Sequence, residues 1–287
     1  MSSRSVVRIL AALAFASTGL AAAAGPDGPE RVGSETCAAC HDDIAKGMVL
    51  SVHGRADPTG SCESCHGPGS RHVEEGDAAL IHRFGPAVAA AKRSAACLEC
   101  HGRGRGQRGW TRSDHAQASV ACDDCHDPHG PPGTRALLRA AAPEGCYGCH
   151  GAVRAQFDLP VRHPIGRGGV NCTDCHDPHA AADRRALGGF KQAVCRTCHT
   201  EYAGPWVFDH EPVDVEGCVA CHAPHGSVNR HLLTYQRVGD LCLQCHPEQP
   251  FFHVAVDGAG ARTTGINDCT RCHTMIHGSN NDALFLN

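Results

Sequence analysis

Ten copies of the pattern Cys-x-x-Cys-His account for all twenty cysteines of this 287-residue chain. Two thiols at this spacing can each bond a porphyrin, and the histidine directly after them can bind its iron, as in c-type haem attachment. The motifs, numbered 1 to 10 in chain order, predict covalent haem at Cys37, Cys40, Cys62, Cys65, Cys97, Cys100, Cys122, Cys125, Cys146, Cys149, Cys172, Cys175, Cys195, Cys198, Cys218, Cys221, Cys242, Cys245, Cys269 and Cys272. They predict proximal iron ligands at His41, His66, His101, His126, His150, His176, His199, His222, His246 and His273.

Other uses of paired cysteines explain this pattern less well. Zinc sites combine two Cys-x-x-Cys pairs but do not need a histidine after each one. Thioredoxin-like redox chemistry needs one such motif near a βαβ unit. A disulfide framework suits small secreted proteins, yet it leaves the ten histidines unexplained. The sequence therefore favours ten haem c groups.

The motifs recur in pairs, which indicates internal repetition. Odd-numbered motifs begin near the start of each repeat and even-numbered motifs follow in the same repeat. The predicted decahaem domain covers 25–287 and divides into five dihaem modules at about 33–96, 97–145, 146–194, 195–241 and 242–287. Modules that contact mainly their neighbours build a quasi-linear body, so we expect an elongated chain.

Few large apolar side chains are available for an ordinary core: the chain has eight Phe, three Tyr and two Trp. Apolar burial stabilises a fold by roughly 25 cal/mol per Å², and here the porphyrin faces must supply most of that area. The predicted fold class is a multihaem cytochrome c, mostly irregular with short α-helices and cored by its haems.

The remaining histidines also repeat, and they predict the second axial ligands. One lies between the two motifs of each module and another follows the even motif, so that only His82 and His231 are left over from 22 histidines. In the first module His72 is preferred to His82. The predicted distal ligands are His53, His72, His115, His129, His163, His179, His210, His225, His253 and His277.

Proline separates two histidines in the segments HDPHG, HDPHA and HAPHG. Proline restricts the preceding residue and stops a helical turn, so the second histidine is expected to point away from its own haem toward a neighbouring one. Methionine is nearly excluded as a ligand because the chain has only Met1, Met48 and Met275. Histidine at both axial positions predicts low potentials, since methionine is the ligand that raises them.

Irons closed on both faces have no position for a substrate, so the sequence predicts an electron-transfer protein with no catalytic residues. A multihaem reductase is disfavoured because the number of predicted distal ligands equals the number of haems and no Cys-x-x-Cys-Lys motif occurs. The net charge of −4 becomes about −6 without Arg4 and Arg8, and no basic face suggests nucleic-acid binding.

The N-terminus has the features of a secretory signal. Arg4 and Arg8 precede an apolar stretch that ends in small residues before Gly25. We expect residues 1–24 to be a cleaved signal peptide, because the apolar run is shorter than the roughly 20 residues that span a bilayer. The mature protein is then exported to the periplasm.

The segments CDDCHDPHG, CTDCHDPHA and CVACHAPHG, with ten motifs after a signal peptide, resemble the MtrA/DmsE/PioA family of periplasmic decahaem c-type cytochromes. The resemblance covers nearly all of the mature chain. It implies insertion into a separate outer-membrane β-barrel porin of the MtrB/PioB type and extracellular electron transfer across the outer membrane. It also implies exchange with periplasmic or inner-membrane cytochromes and with an extracellular multihaem cytochrome or a terminal reductase. The alternative is a soluble periplasmic carrier that feeds a terminal reductase.

Overall fold

The computed structural model describes residues 28–56, 61–104, 106–130, 134–166, 169–179, 192–247, 255–256, 262–263 and 268–286. The predicted signal peptide and His253 lie outside these ranges.

Short helices separated by turns make up the described part of the chain. The α-helices are α1 Ser34–Ala38, α2 Asp42–Leu50, α3 Val52–Ala56, α4 Ser61–His66, α5 Ser70–Glu75, α6 Ala90–His101, α7 Asp114–Gln117, α8 Cys122–Cys125, α9 Glu144–Tyr147, α10 Gly151–Phe157, α11 Cys172–Cys175, α12 Glu211–Val215 and α13 Val238–Cys242. Single 3₁₀ turns cover Ala78–Leu80, Trp110–Arg112, Arg135–Leu137, Cys195–Thr197, Thr200–Tyr202, Cys218–Ala220, Arg230–Leu232 and Cys269–Arg271. Strands β1 Ala255–Val256 and β2 Arg262–Thr263 pair antiparallel.

This architecture confirms the predicted multihaem class with short helices and mostly irregular chain. In the described residues, no helix has the length and apolar character needed to cross a membrane.

Side chains contribute little to the interior of the described part. Met48, Trp110 and Ala121 are its buried hydrophobic residues, at 8%, 7% and 0% exposure. Several larger apolar side chains instead lie open, among them Val49 and Leu50 at 69% and 58%. A chain that leaves its few large apolar groups this exposed needs another source of buried apolar area, as expected for a haem-cored protein.

Neighbouring modules are joined by short backbone pairings at equivalent places. Val161 pairs antiparallel with Ser227, and Phe208 pairs antiparallel with Ser279. In both cases the first residue lies two positions before a predicted distal histidine, and the second lies two positions after one. These pairings bring histidines of consecutive modules together.

Candidate haem-binding sites

Each Cys-x-x-Cys-His motif forms one helical turn. Outside α4 and α6, which contain their motifs, the histidine N–H donates to the carbonyl of the first cysteine at 2.8 to 3.0 Å. Residues four apart in such a turn lie on the same side of the helix. The turn therefore presents the cysteines and the histidine together, and none of the twenty cysteines forms a disulfide.

In two of these turns an aspartate side chain caps the start of the helix. In α8 the Asp124 carboxylate accepts the backbone N–H of Ala121 at 2.7 Å, and in α11 Asp174 does the same for Asn171 at 2.8 Å. A carboxylate in the first turn also interacts favourably with the helix dipole. The residues between the cysteines thus hold the attachment turn in place.

Nine of the ten motif histidines face a second imidazole ring, with ring centres between 5.9 and 6.4 Å apart. In every pair the second ring belongs to a predicted distal ligand. The pairs, in motif order, are His41 with His72, His66 with His129, His101 with His53, His126 with His179, His150 with His115, His176 with His225, His199 with His163, His222 with His277, and His246 with His210.

This spacing fits one iron between each pair of rings. A bond from a metal to an imidazole nitrogen is about 2 Å long and the nitrogen is about 1 Å from the ring centre, so two axial imidazoles have centres about 6 Å apart. A bare metal ion fits less well: among the described residues, no three His, Cys, Asp or Glu side chains converge on one point.

Eight of these pairs join two modules, a result that sequence order alone does not reveal. His115, from the second module, faces His150 of the third, while His179 of the third faces His126 of the second. The same exchange occurs at each of the other described module boundaries. His72 is the exception, because it faces His41 within the first module.

Backbone carbonyls orient many of these rings. Nδ1 of His126 lies 2.7 Å from the Ala136 carbonyl, and Nδ1 of His222 lies 2.7 Å from the His231 carbonyl. A carbonyl only accepts, so Nδ1 carries the proton and donates, which leaves Nε2 for a metal. His66, bonded to the His82 carbonyl at 2.8 Å, and His273, bonded to the Leu284 carbonyl, follow the same rule.

His82 and His231, the two histidines outside the predicted ligand set, thus each contribute a backbone carbonyl that accepts a hydrogen bond from a motif histidine. The His82 ring packs edge-on against Phe84 at 4.8 Å, and its Nε2 is buried without a hydrogen bond. His231 adopts φ +57°, equivalent to Ala136 at +53°. Sequence reasoning missed these carbonyl acceptors, although the repeat Arg-Ala-Leu-Leu at 135–138 and Arg-His-Leu-Leu at 230–233 was a usable signal.

A bulky side chain packs on the distal ring at three even motifs. Trp110 lies 6.1 Å from the His179 ring, Phe157 lies 5.1 Å from His225, and Tyr202 lies 4.4 Å from His277. Burial lowers the pKa of these three histidines. Since a metal binds the neutral imidazole, burial favours the form that can act as a ligand.

Cysteines of successive motifs lie near one another. Within a module the first cysteines of the two motifs are neighbours, and the five pairs are Cys37 with Cys62, Cys97 with Cys122, Cys146 with Cys172, Cys195 with Cys218, and Cys242 with Cys269. Between modules the second cysteines are within electrostatic range of each other, in the pairs Cys65 with Cys100, Cys125 with Cys149, Cys175 with Cys198, and Cys221 with Cys245. All ten attachment sites therefore form one unbroken series.

A buried ion pair fixes motifs 3 and 4 relative to each other. Arg93, in the helix that carries motif 3, is 5% exposed and bonds Asp123 at 2.7 Å and Asp124 at 2.8 Å. Both aspartates lie between the cysteines of motif 4. Hydrogen bonds from Arg93, to Asp124 and then to Asp123, raise the pKa of its guanidinium.

These attachment turns and facing imidazoles define the class of protein: a multihaem c-type cytochrome, which binds haem c and transfers electrons. The family model "Doubled CXXCH motif" matches residues 115–155, 163–204 and 210–251, and the model "Cytochrome c554 and c-prime" matches 72–127. The chain is also 34% identical to the multiheme cytochrome MtrA of Shewanella baltica (strain OS185) over 269 residues, 86% of this chain and 79% of the relative. It belongs to the MtrA family and is an electron-transfer protein, not an enzyme.

Proposed function

We propose that the protein is a ten-haem electron wire in which two histidines hold every iron. The main support for this proposal is the nine imidazole pairs, whose ring centres lie about 6 Å apart and so leave room for one metal ion. In each pair one ring belongs to a Cys-x-x-Cys-His motif and the other to a predicted distal histidine. The ten attachment turns would bond haem through the twenty cysteines. Bound haem supplies reversible one-electron chemistry at low potential.

Each distal histidine is assigned by the ring that it faces. His129, His179, His225 and His277 serve motifs 2, 4, 6 and 8, and His53, His115, His163 and His210 serve motifs 3, 5, 7 and 9. His72 serves motif 1. Nine of the ten distal candidates are used by nine motifs, so the count assigns His253 to motif 10.

Filled axial positions favour outer-sphere electron transfer over catalysis. The chain's own residues orient many of these ligands by hydrogen bonds to carbonyls and by packing, and the proximity of successive attachment motifs supports passage of electrons from one site to the next. Intact mass should show ten covalent haems, and low-temperature electron paramagnetic resonance of the oxidised holoprotein should show only low-spin iron. A high-spin ferric signal, or reduction of nitrite or hydroxylamine that saturates with substrate, would contradict this function.

The wire is proposed to lie in the periplasm and to cross the outer membrane inside a separate β-barrel porin of the MtrB/PioB type. Membership of the MtrA family supports this location, and so does the linking of consecutive modules by exchanged histidines, which suits an extended conductor. Donors and acceptors would be periplasmic or inner-membrane cytochromes on one side and an extracellular multihaem cytochrome on the other.

Cell fractionation separates this conduit from a soluble carrier that feeds a terminal reductase. A conduit co-purifies with an outer-membrane barrel and resists protease added to the periplasm. Release of the free cytochrome on periplasmic extraction, with full sensitivity to protease, would instead identify the carrier.

A further inference from the structure

Four distal histidines lie between the two motifs of their own module and face the first motif of the next module. In three of these pairs the ring planes are crossed: His53, His115 and His163 lie at 83°, 72° and 68° to their motif histidines. His210 is the exception, because its ring meets His246 at 13°. Motifs 1, 2, 4, 6 and 8 take their distal ligand from further along the chain and form a separate set. A feature specific to motif 9 therefore turns the His210 ring.

The backbone around His210 does not explain the difference, because His163 has the same backbone frame. Each of the two lies two residues after a short antiparallel pairing with the next module, with hydrogen bonds of 2.8 to 3.1 Å. Nδ1 of His163 lies 2.6 Å from the Pro224 carbonyl. The backbone of Ile276 lies at the equivalent place beside His210. One frame thus holds both a crossed pair and a parallel pair.

A phenylalanine ring packs on His210 and has no counterpart at the three crossed pairs. The ring centre of Phe285 lies 5.4 Å from that of His210, with the planes at 62°. In the described part of the chain, no Phe, Tyr or Trp ring packs on His53, His115 or His163. The last side-chain torsion of a histidine is soft. A bulky neighbour can therefore set the plane of the ring.

Leucine takes the place of Phe285 in two other modules. The residue after the carbonyl that accepts the motif-histidine Nδ1–H is Leu137, Leu232 or Phe285, with φ of +54°, +58° and +58°. Leu137 and Val52, the neighbour of His53, line one cavity of about 170 Å³. The smaller side chain thus leaves open space near the distal ligand of a crossed pair.

We propose that Phe285 is a positioning residue which turns the His210 ring parallel to His246. The inference rests on the proposed two-histidine ligation. Parallel rings act on the same one of two iron d orbitals and separate their energies, which stabilises ferric iron, whereas crossed rings act on one orbital each. Ligand orientation of this kind tunes a metal site. Phe285 therefore lowers the potential of motif 9 below that of the same site with crossed rings.

The test is the low-temperature electron paramagnetic resonance spectrum of the oxidised holoprotein, in which crossed pairs give a strongly anisotropic low-spin component and parallel pairs give rhombic ones. Phe285→Leu should add the intensity of one haem to the anisotropic component and raise one potential in a redox titration. Leucine fits the left-handed backbone there, as it does at Leu137 and Leu232. Phe285→Tyr keeps the ring and should keep the wild-type spectrum. Leu137→Phe is the reciprocal variant and should remove the intensity of one haem from the anisotropic component.

An unchanged anisotropic component in Phe285→Leu would overturn the role of Phe285. If that variant does not accumulate, Leu137→Phe decides: loss of one haem's intensity supports the proposal, and unchanged intensity overturns it. A wild-type spectrum with only rhombic low-spin signals would refute the crossed pairs. High-spin iron in wild type would instead refute the two-histidine ligation itself.

Discussion

The rings of His66 and His129 lie 6.0 Å apart and almost parallel, at 11°, although they belong to different modules. Coordination of one iron by both would join the first module to the second. The same exchange recurs at the next boundary, where His115 of the second module faces a motif histidine of the third and His179 of the third faces one of the second. Each boundary would then be closed by two iron links, so the haems would act as structural cross-links as well as electron carriers.

Replacing His179 by alanine should open one iron, because this ring is the one that faces His126. We expect one high-spin ferric haem in the electron paramagnetic resonance spectrum and faster proteolysis between the second and third modules. His231→Ala is the matched control, since the structure uses the His231 carbonyl and Ala136 already occupies the equivalent left-handed position. If both variants kept a purely low-spin spectrum, the assignment of His179 would be wrong.

Replacing Arg93 by methionine should destabilise the junction of motifs 3 and 4. The variant leaves the Asp123 carboxylate buried without its arginine, and breaking a buried pair in this way costs on the order of 3 kcal/mol. Lys46→Met is the control, because its pair with Asp42 is 72% and 64% exposed. Such surface pairs contribute about 0.5 kcal/mol. Urea midpoints of the holoproteins should fall clearly for Arg93→Met and hardly at all for Lys46→Met.

The Glu63 carboxylate should make the N-terminal segment sensitive to acid. Its side chain is 4% exposed and accepts backbone N–H groups of Val32, Gly33 and Gly69, each at 2.9 Å. Burial acts to raise the pKa of Glu63, but these donors outweigh it and hold the pKa below the ordinary value of 4.5. The stabilisation is therefore complete above pH 4.5 and is lost as the pH falls through the lower folded value.

Urea midpoints measured from pH 6 down to pH 3 check this dependence. The wild-type midpoint should drop at the acid end, while Glu63→Gln should be destabilised by about 2 kcal/mol at pH 6 and respond less to acid. Glu35→Gln, at an exposed position in α1, should retain the wild-type pH response. Equal acid sensitivity in wild type and Glu63→Gln would contradict the role of Glu63.

Gly278 cannot accept a side chain, because Trp206 lies against it. A Cβ at Gly278 would be 2.1 Å from Cδ1 of Trp206, and its φ of +140° is unfavourable for other residues. Gly278→Ala should displace the tryptophan and the adjacent His277, which shifts the potential of motif 8 and lowers the melting temperature. Gly106→Ala, with open space around its Cα, should leave both unchanged; a normal Gly278→Ala protein would show that the contact is unimportant.

Local pattern was sufficient to predict the attachment turns. Two cysteines and a histidine at fixed spacing need only one helical turn to lie on one side, so motifs such as Cys122 to His126 could be located from the sequence alone. Composition predicted the haem core, since a chain with so few aromatic residues has little other apolar area. The candidate distal histidines could also be selected, because they recur at the same places in successive modules.

The partner of each distal histidine could not be derived in this way, because the pairs join residues far apart in sequence. His115 faces His150 where the third module packs on the second, and the Pro178 carbonyl of the third module accepts its Nδ1–H. Repetition along the chain therefore singled out the candidate iron ligands, and the packing of one module on the next decided which two imidazoles face each other and at what angle their rings meet. Sequence specifies short-range geometry, whereas long-range pairing depends on how the modules dock.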